Sequence, residues 1–117
     1  APILGAHLEL KGFDMMAGMP NPHGMSADVF SRFEMVLSGH FHTRSSQGNV
    51  TYLGSQMEFT WADANDQKYF HILDTETREV EAVPNPYTIF KKLLYNDKET
   101  NYDKFDITDY NQKFVKL

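Results

Sequence analysis

Two histidines separated by a single residue follow a short apolar run near the middle of the chain. His40 and His42 come after the run 35–37 and a Ser-Gly pair that ends at Gly39. On extended backbone, side chains at positions i and i+2 project to the same side, and a glycine lets the main chain turn tightly at a strand end. Neutral imidazole is an available metal ligand at neutral pH. The spacing therefore suits two metal ions about 3.5–4 Å apart, each bound by one histidine.

A third histidine, His7, lies in an apolar run close to the N-terminus. Neighbouring parallel strands end near the same edge of a sheet, so His7 is a further candidate ligand if its strand lies beside the one before His40. The alternative for His7 is a buried histidine satisfied by a backbone carbonyl. For His40 and His42 the alternative is a pair of solvated loop residues, and the motif alone leaves both possibilities open.

Composition limits the class of protein. The 117 residues are 41% hydrophobic and 14% aromatic, which is enough for one small globular domain with a core and too little for two. The absence of cysteine excludes disulfide scaffolds, thiolate zinc sites and cysteine nucleophiles. A formal net charge of -5 argues against wrapping nucleic acid by bulk electrostatics.

No apolar run approaches the roughly 20 residues of a membrane span and no export signal precedes the first apolar run, so a soluble, cytoplasmic chain without a membrane partner is expected.

The pattern of apolar residues predicts mostly strands and one short helix. Ser26 is predicted to cap a helix that runs to about Phe33, and the Gly-rich and Pro-rich segment 11–25 is predicted to be a long loop. A hairpin is predicted from two alternating runs around a turn at 74–77. Strands are predicted at 3–10, 35–37, 49–53, 57–61, 68–73, 78–83 and 88–95. We expect an α+β fold, a layered αβ arrangement in which most strands are antiparallel.

The segment Ser38-Gly39-His40-Phe41-His42 resembles part of a known family. With His7 upstream and the segment 50–55 downstream, it resembles the C-terminal half of calcineurin-like metallophosphoesterases, and among them the SbcD-type repair nucleases, bacteriophage members included. The resemblance covers nearly the whole chain. It implies the C-terminal half of the family's sandwich, with residues 1–86 in the nuclease domain and residues 87–117 at the start of a capping, DNA-binding domain.

The resemblance also implies a ligand set. His7 and His40 correspond to ligands of one manganese ion and His42 to a ligand of a second, with magnesium as an alternative metal. The turn residues near this site are Gly39, Gly54 and Ser55. No catalytic residue is assigned within the chain. The candidate DNA contacts are Arg44, Lys91 and Lys92, although the two lysines would equally suit an edge strand.

The family pattern is incomplete in this sequence. Its site also requires an Asp-x-His, a bridging aspartate and an Asn-His-Asp, and the chain contains neither an Asp-x-His nor an Asn-His. We therefore expect a fragment, inactive alone, that begins within a longer protein. The parent implied by the resemblance is a manganese-dependent DNA exo/endonuclease subunit of phage recombination and double-strand break repair. It would act in the host cytoplasm, with DNA, an SbcC-type coiled-coil ATPase and a second copy of itself as partners.

Two other functions stay open on sequence grounds. One is a non-catalytic scaffold or dimerisation module that uses the same fold. The other is a phosphatase or cyclic-nucleotide phosphodiesterase of the same superfamily. Outside the motif, His23 is expected to be a solvated loop residue and His71 a packed or surface residue of a strand. Phe59 and Trp61 are expected to pack in the core rather than stack on bases.

Overall fold

The structure is a computed structural model that describes residues 2–117. Short strands dominate it. The strands are β1 (Ile3–His7), β2 (Asp14–Met16), β3 (Met19–Pro20), β4 (Met35–Gly39), β5 (Ser45–Gln47), β6 (Val50–Tyr52), β7 (Tyr69–Leu73), β8 (Val80–Pro84), β9 (Phe90–Lys92) and β10 (Phe114–Lys116). The helical segments in this part of the chain are 3-10 turns at Ala27–Phe30, Trp61–Asp63, Tyr102–Lys104 and Thr108–Tyr110.

The main sheet has four strands in the order β1-β4-β6-β5. β4 pairs in parallel with both β1 and β6, and only β5 and β6 are antiparallel. The prediction of mostly antiparallel strands is therefore wrong for this sheet. The physical reason is the long connection between β1 and β4, which carries the chain back to the same end before the next strand begins. β4 lies between β1 and β6, and strands inside a parallel sheet are commonly apolar, in keeping with the apolar run 35–37.

Parallel pairing places the two histidine-bearing segments side by side. His7, the last residue of β1, is the register partner of Gly39, the last residue of β4. The prediction that neighbouring parallel strands bring His7 to the edge near His40 is confirmed. The pairing of β1 with β4, and not a local turn, brings these two parts of the sequence together.

Three two-stranded ribbons accompany the sheet. The predicted hairpin is confirmed as β7 and β8, with Phe70 opposite Val83. The predicted loop 11–25 contains the small hairpin of β2 and β3. β9 and β10 pair in parallel, although the tail shows no periodicity. Because the described residues form one larger sheet and three ribbons, the two-layer sandwich implied by the resemblance stays a prediction, as does the domain boundary at residue 86.

Two local predictions differ from the structure. Ser26 does cap a helix, since its side chain accepts a hydrogen bond from the amide of Asp28, but the helix is a single 3-10 turn that ends at Phe30. The predicted strand 57–61 is wrong: this segment leads into the 3-10 turn Trp61–Asp63. There the Asp63 side chain accepts backbone amides of the segment, which curls the chain instead of extending it.

The hydrophobic core is small and lies on one side of the main sheet. It consists of Leu10, Phe13, Val36, Phe41, Val50 and Tyr52. The Tyr52 hydroxyl fixes the segment after β1, because it donates to the carbonyl of Leu8 at 2.7 Å and accepts from the amide of Leu10 at 3.0 Å. The radius of gyration is 18.2 Å, against about 13 Å for a compact domain of this size. The chain is thus more extended than the single globular domain that composition predicts.

Within residues 2–117, the structure contains no helix that is both long and apolar enough to cross a membrane.

Candidate metal centre

The ends of β1 and β4 bring two imidazole rings into contact. Nδ1 of His40 lies 3.4 Å from Nε2 of His7, and the ring planes stand nearly perpendicular, at 84°. Both side chains are exposed. Two nitrogens that bind one ion at about 2.0–2.1 Å are separated by a little over 3 Å, so this pair fits two ligands of a single metal ion. Either ring can also donate to the other in the absence of metal.

Gly39 has a different role from the one expected. Its φ is not positive, and the left-handed residue at this point is His40, with φ 92°. A Cβ on Gly39 would lie 3.0 Å from Nδ1 of His7. Glycine is favoured here because any Cβ would crowd the His7 ring, and not because the main chain turns at Gly39. The positive φ of His40 is uncommon for a residue with a side chain and costs conformational energy. The extended i, i+2 geometry assumed for His40 and His42 does not apply for the same reason.

His42 is held by contacts other than those of His7 and His40. Its Nδ1 lies 3.3 Å from Oδ2 of Asp63, and its side chain is 45% exposed while that of Asp63 is 4% exposed. The ring also packs against Phe59, with the ring centroids 5.8 Å apart. His42 is thus fixed by a buried carboxylate on one side and remains open to solvent on the other.

Asp63 belongs to a buried ionic network. Its Oδ1 accepts a hydrogen bond from Nζ of Lys68 at 2.9 Å, and the Lys68 side chain is only 3% exposed. Lys68 donates a second bond at 2.9 Å to Asp66. Burial alone would raise the pKa of Asp63, but the Lys68 ammonium and the amides of Phe59 and Thr60 outweigh it and hold that pKa well below its usual range. Asp63 is therefore an anion at neutral pH.

The main chain of His42 is anchored as firmly as its ring. Its carbonyl accepts from the amide of Ser55 at 2.9 Å and from Nζ of Lys68 at 2.9 Å. Gly54, at φ +74°, brings the turn so close that a Cβ would lie 2.8 Å from this carbonyl oxygen. The Gly54-Ser55 turn predicted to lie near the site thus supports the backbone of His42.

His40, His42 and Asp63 all line one cleft of about 210 Å³. The histidines supply ring nitrogens, the donors that suit first-row metals. In the described part of the chain, no group of three or more His, Cys, Asp or Glu side chains is arranged to hold a metal ion. Asp63 is not a free donor, because both of its oxygens already accept hydrogen bonds. The residues present fit a part of a metal shell, and the ligand roles of His7, His40 and His42 stay predictions.

None of the three candidate DNA contacts lines this cleft. Arg44 is exposed, and its Nε donates to Nε2 of His71 at 3.2 Å. Lys92 pairs directly with Lys116 across β9 and β10, whereas Lys91 lies over the ring of Tyr110 at 5.6 Å. None of the three is hydrogen-bonded to His7, His40 or His42 in the described residues, so their role in binding DNA stays a prediction.

The sequence predictions missed Asp63 and Lys68. Neither residue lies in a recognisable metal motif. The available signal is the Thr-x-x-Asp spacing of Thr60 and Asp63, a pattern that begins helical turns and ties the acidic side chain to the backbone. Of the aromatic residues assigned to the core, Phe59 is instead 60% exposed, while Trp61 packs against Phe90 with 4.7 Å between ring centroids.

Comparison with known proteins gives one clear relationship. No protein-family profile matches the chain. The chain is 37% identical over 111 residues to exonuclease subunit 1 of Enterobacteria phage T4, and the alignment covers 95% of the chain. It spans 31% of the length of that relative. Identity at this level over nearly the entire chain establishes homology.

Proposed function

Because the chain is homologous to a phage exonuclease subunit, we propose that it supplies the histidine-bearing part of a nuclease site that hydrolyses DNA phosphodiesters. The observation that carries this proposal is the 3.4 Å approach of His40 Nδ1 to His7 Nε2. The two residues are 33 positions apart in sequence. A core packing role would bury them, yet both side chains are exposed, and His40 lines an open cleft.

The three histidines would hold a pair of divalent ions, His7 and His40 on one ion and His42 on the other. Manganese is our first choice and magnesium the alternative. Such ions supply the Lewis acid that stabilises charge on a phosphodiester during hydrolysis. The protein contributes position: β1 and β4 fix His7 and His40 at the sheet edge, while Asp63 and the Gly54 turn fix His42.

Carboxylate ligands are needed as well, since the described residues present no free acidic side chain at this cleft. The motifs that would supply them in the resembling family do not occur in residues 1–117. We infer that the chain alone binds metal weakly and does not cut DNA. For the same reason, we propose manganese dependence and a role in double-strand break repair for a longer protein that contains this chain, and not for the chain alone.

The metal proposal is tested by titrating the purified chain with Mn²⁺ in a calorimeter. We expect binding that weakens at least tenfold in His40→Ala and in His7→Ala. The matched control is His23→Ala, which removes an exposed loop histidine outside the cleft and should leave the affinity unchanged. Equal binding by the chain and His40→Ala would remove the support for the ligand assignment.

A nuclease assay tests the inference of inactivity. End-labelled duplex DNA incubated with the chain and Mn²⁺ should stay intact. Cleavage that survives His40→Ala would indicate a contaminating nuclease. Cleavage that His40→Ala abolishes would show that residues 1–117 contain a complete site, and would overturn the proposed half shell.

The remaining partners are proposed from the family resemblance, and no contact in the structure identifies them. The matched relative is designated a subunit, which supports a multi-subunit assembly for this chain too. We propose DNA, an SbcC-type ATPase and a second copy as its partners, in the cytoplasm of the phage host. The open edge of β1 in the main sheet offers unpaired backbone groups that another strand could satisfy.

A further inference from the structure

We propose that Asp63 is the positioning residue of His42: it keeps the ring proton on Nδ1 and thereby leaves Nε2 as the nitrogen with the free lone pair. This inference rests on the proposed function, in which His42 binds metal. It assigns a role to a buried ion pair that no sequence motif marks. Three sets of contacts support it, at the ring, at the carboxylate and at the main chain.

The first contact fixes the tautomer. Nδ1 of His42 lies 3.3 Å from Oδ2 of Asp63. An ionised carboxylate only accepts hydrogen bonds, so this contact is a hydrogen bond when Nδ1 carries the ring proton, and the carboxylate favours that tautomer. In a neutral imidazole the other nitrogen then has no proton. The lone pair that a metal ion requires is thus available at Nε2 without any rearrangement of the ring.

The second contact holds the carboxylate itself. Oδ2 of Asp63 also accepts the amide of Phe59 at 2.9 Å and the amide of Thr60 at 2.8 Å. Oδ1 accepts from Lys68. A side chain with donors on both oxygens has little freedom to rotate. Asp63 is therefore a rigid support for the ring, and it is not itself a metal ligand.

The third contact ties the support to the backbone of the ligand. Nζ of Lys68 donates both to Oδ1 of Asp63 and to the carbonyl oxygen of His42, each at 2.9 Å. One buried ammonium thus links the main chain of His42 to the carboxylate that holds its ring. Because Nζ of Lys68 bonds to both residues, it fixes the distance between Asp63 and His42.

This arrangement has a general counterpart in metalloproteins. Histidine ligands usually donate their second ring N–H to a carboxylate, a carbonyl or water, and loss of that acceptor commonly weakens metal affinity by about 10- to 100-fold. A purely structural role for the Asp63–Lys68 pair would not require the carboxylate to face a histidine that is 45% exposed. The exposure of His42 at a cleft is what points to a ligand role.

The tautomer of His42 in the metal-free chain is the primary test. Long-range ¹H–¹⁵N NMR distinguishes a protonated Nδ1 from a protonated Nε2. At neutral pH we expect the unchanged chain to show His42 protonated on Nδ1, and Asp63→Asn to shift it towards the Nε2-protonated form. Asp66→Asn is the matched control, since Asp66 also accepts from Lys68 but makes no bond to His42. If neutral His42 in the unchanged chain carries its proton on Nε2 instead of Nδ1, the proposal is overturned, whether or not Asp63→Asn folds.

Metal affinity separates this inference from the proposed function. We expect Asp63→Asn to weaken Mn²⁺ binding by about 10- to 100-fold, with Asp66→Asn close to the unchanged chain. If His42→Ala weakens binding and Asp63→Asn does not, the positioning role is wrong while the metal site stands. If His42→Ala leaves binding unchanged although the expected tautomer is observed, Asp63 positions His42 but the ligand assignment of the proposed function fails.

Discussion

The ring of His7 lies against the bare Cα of Gly39, with Nδ1 only 3.0 Å from the point where a Cβ would stand. The two residues are direct register partners at the ends of parallel strands. A side chain at position 39 would press on the ring and push it aside by a few tenths of an ångström. The glycine of the Gly-His-x-His motif is therefore explained by a residue that lies far away in the sequence.

Gly39→Ala should displace the His7 ring by a few tenths of an ångström and weaken Mn²⁺ binding by up to about tenfold, because that shift uses up most of the roughly 0.5 Å within which ligand positions must be held. The control is Gly5→Ala in the same strand as His7, where no atom lies within 4 Å of the added Cβ. Calorimetric titration of both variants measures the difference. Equal affinities would show that the contact with Gly39 does not position His7.

His40 carries backbone strain that its own substitution can reveal. Its φ of 92° is easily adopted by glycine and disfavoured for alanine. His40→Gly should therefore be more stable than His40→Ala by about 1 kcal/mol, although both lack the imidazole. Urea unfolding measures the free energies. Equal stability of the two variants would mean that the local backbone relaxes at no cost.

The Gly54 turn should be sensitive to any side chain. Gly54→Ala combines a positive φ with a Cβ 2.8 Å from the carbonyl oxygen of His42, so we expect a loss of about 2–4 kcal/mol in the free energy of unfolding. Gly48→Ala is the control, because Gly48 also has a positive φ but open space around it. It should lose only about 1–2 kcal/mol. Denaturant unfolding compares them, and a similar loss in both would remove the role of the close approach.

His71 should make stability depend on pH. Burial and the neighbouring Arg44 guanidinium lower the pKa of His71 below its ordinary value of 6.5. A histidine with a lowered folded-state pKa binds fewer protons when folded than when unfolded, so stability falls as the pH drops below about 6.5. The loss is complete once the pH lies below the folded-state pKa. In His71→Gln this part of the pH dependence should disappear.

Arg44→Gln tests the cause of that shift. NMR titration should show a higher pKa for His71 in this variant, because both the charge and the hydrogen bond from Nε of Arg44 are removed. Arg32→Gln is the control, since Arg32 lies over the ring of Phe33. An unchanged His71 pKa in Arg44→Gln would leave burial as the sole cause.

The paired lysines of the β9–β10 ribbon are the best candidates for a phosphate contact. Lys92 and Lys116 are cross-strand partners, and like charges in that position repel unless an anion lies between them. If DNA binds here, replacing both by glutamine should reduce the slope of log affinity against log salt by about 2. Fluorescence anisotropy with labelled duplex measures it. Lys98→Gln should change the slope by less, and an unaltered slope in the double variant would place the DNA elsewhere.

Short apolar runs and turn residues were sufficient to predict several elements. The β7–β8 hairpin follows from alternation on both sides of a turn, where Asp74 accepts the amides of Glu76 and Thr77. Ser26 was predictable as a helix cap for the same local reason. Such elements depend on hydrogen bonds and side-chain periodicity over a few residues, which a sequence displays directly.

The sequence by itself determined the candidate ligand types and, through the resemblance, the relationship to a phage nuclease that the homology supports. Tertiary structure decided which groups meet. In the structure His7 is paired with Gly39, and Asp63 and Lys68 lie around His42. The strained backbone is at His40, whereas the sequence predicted the tight turn at Gly39. These outcomes depend on strand register and on side chains from distant segments that share one buried space, and a local pattern contains no information about either. For that reason the histidines could be named from the sequence, while the residues that hold them in place could not.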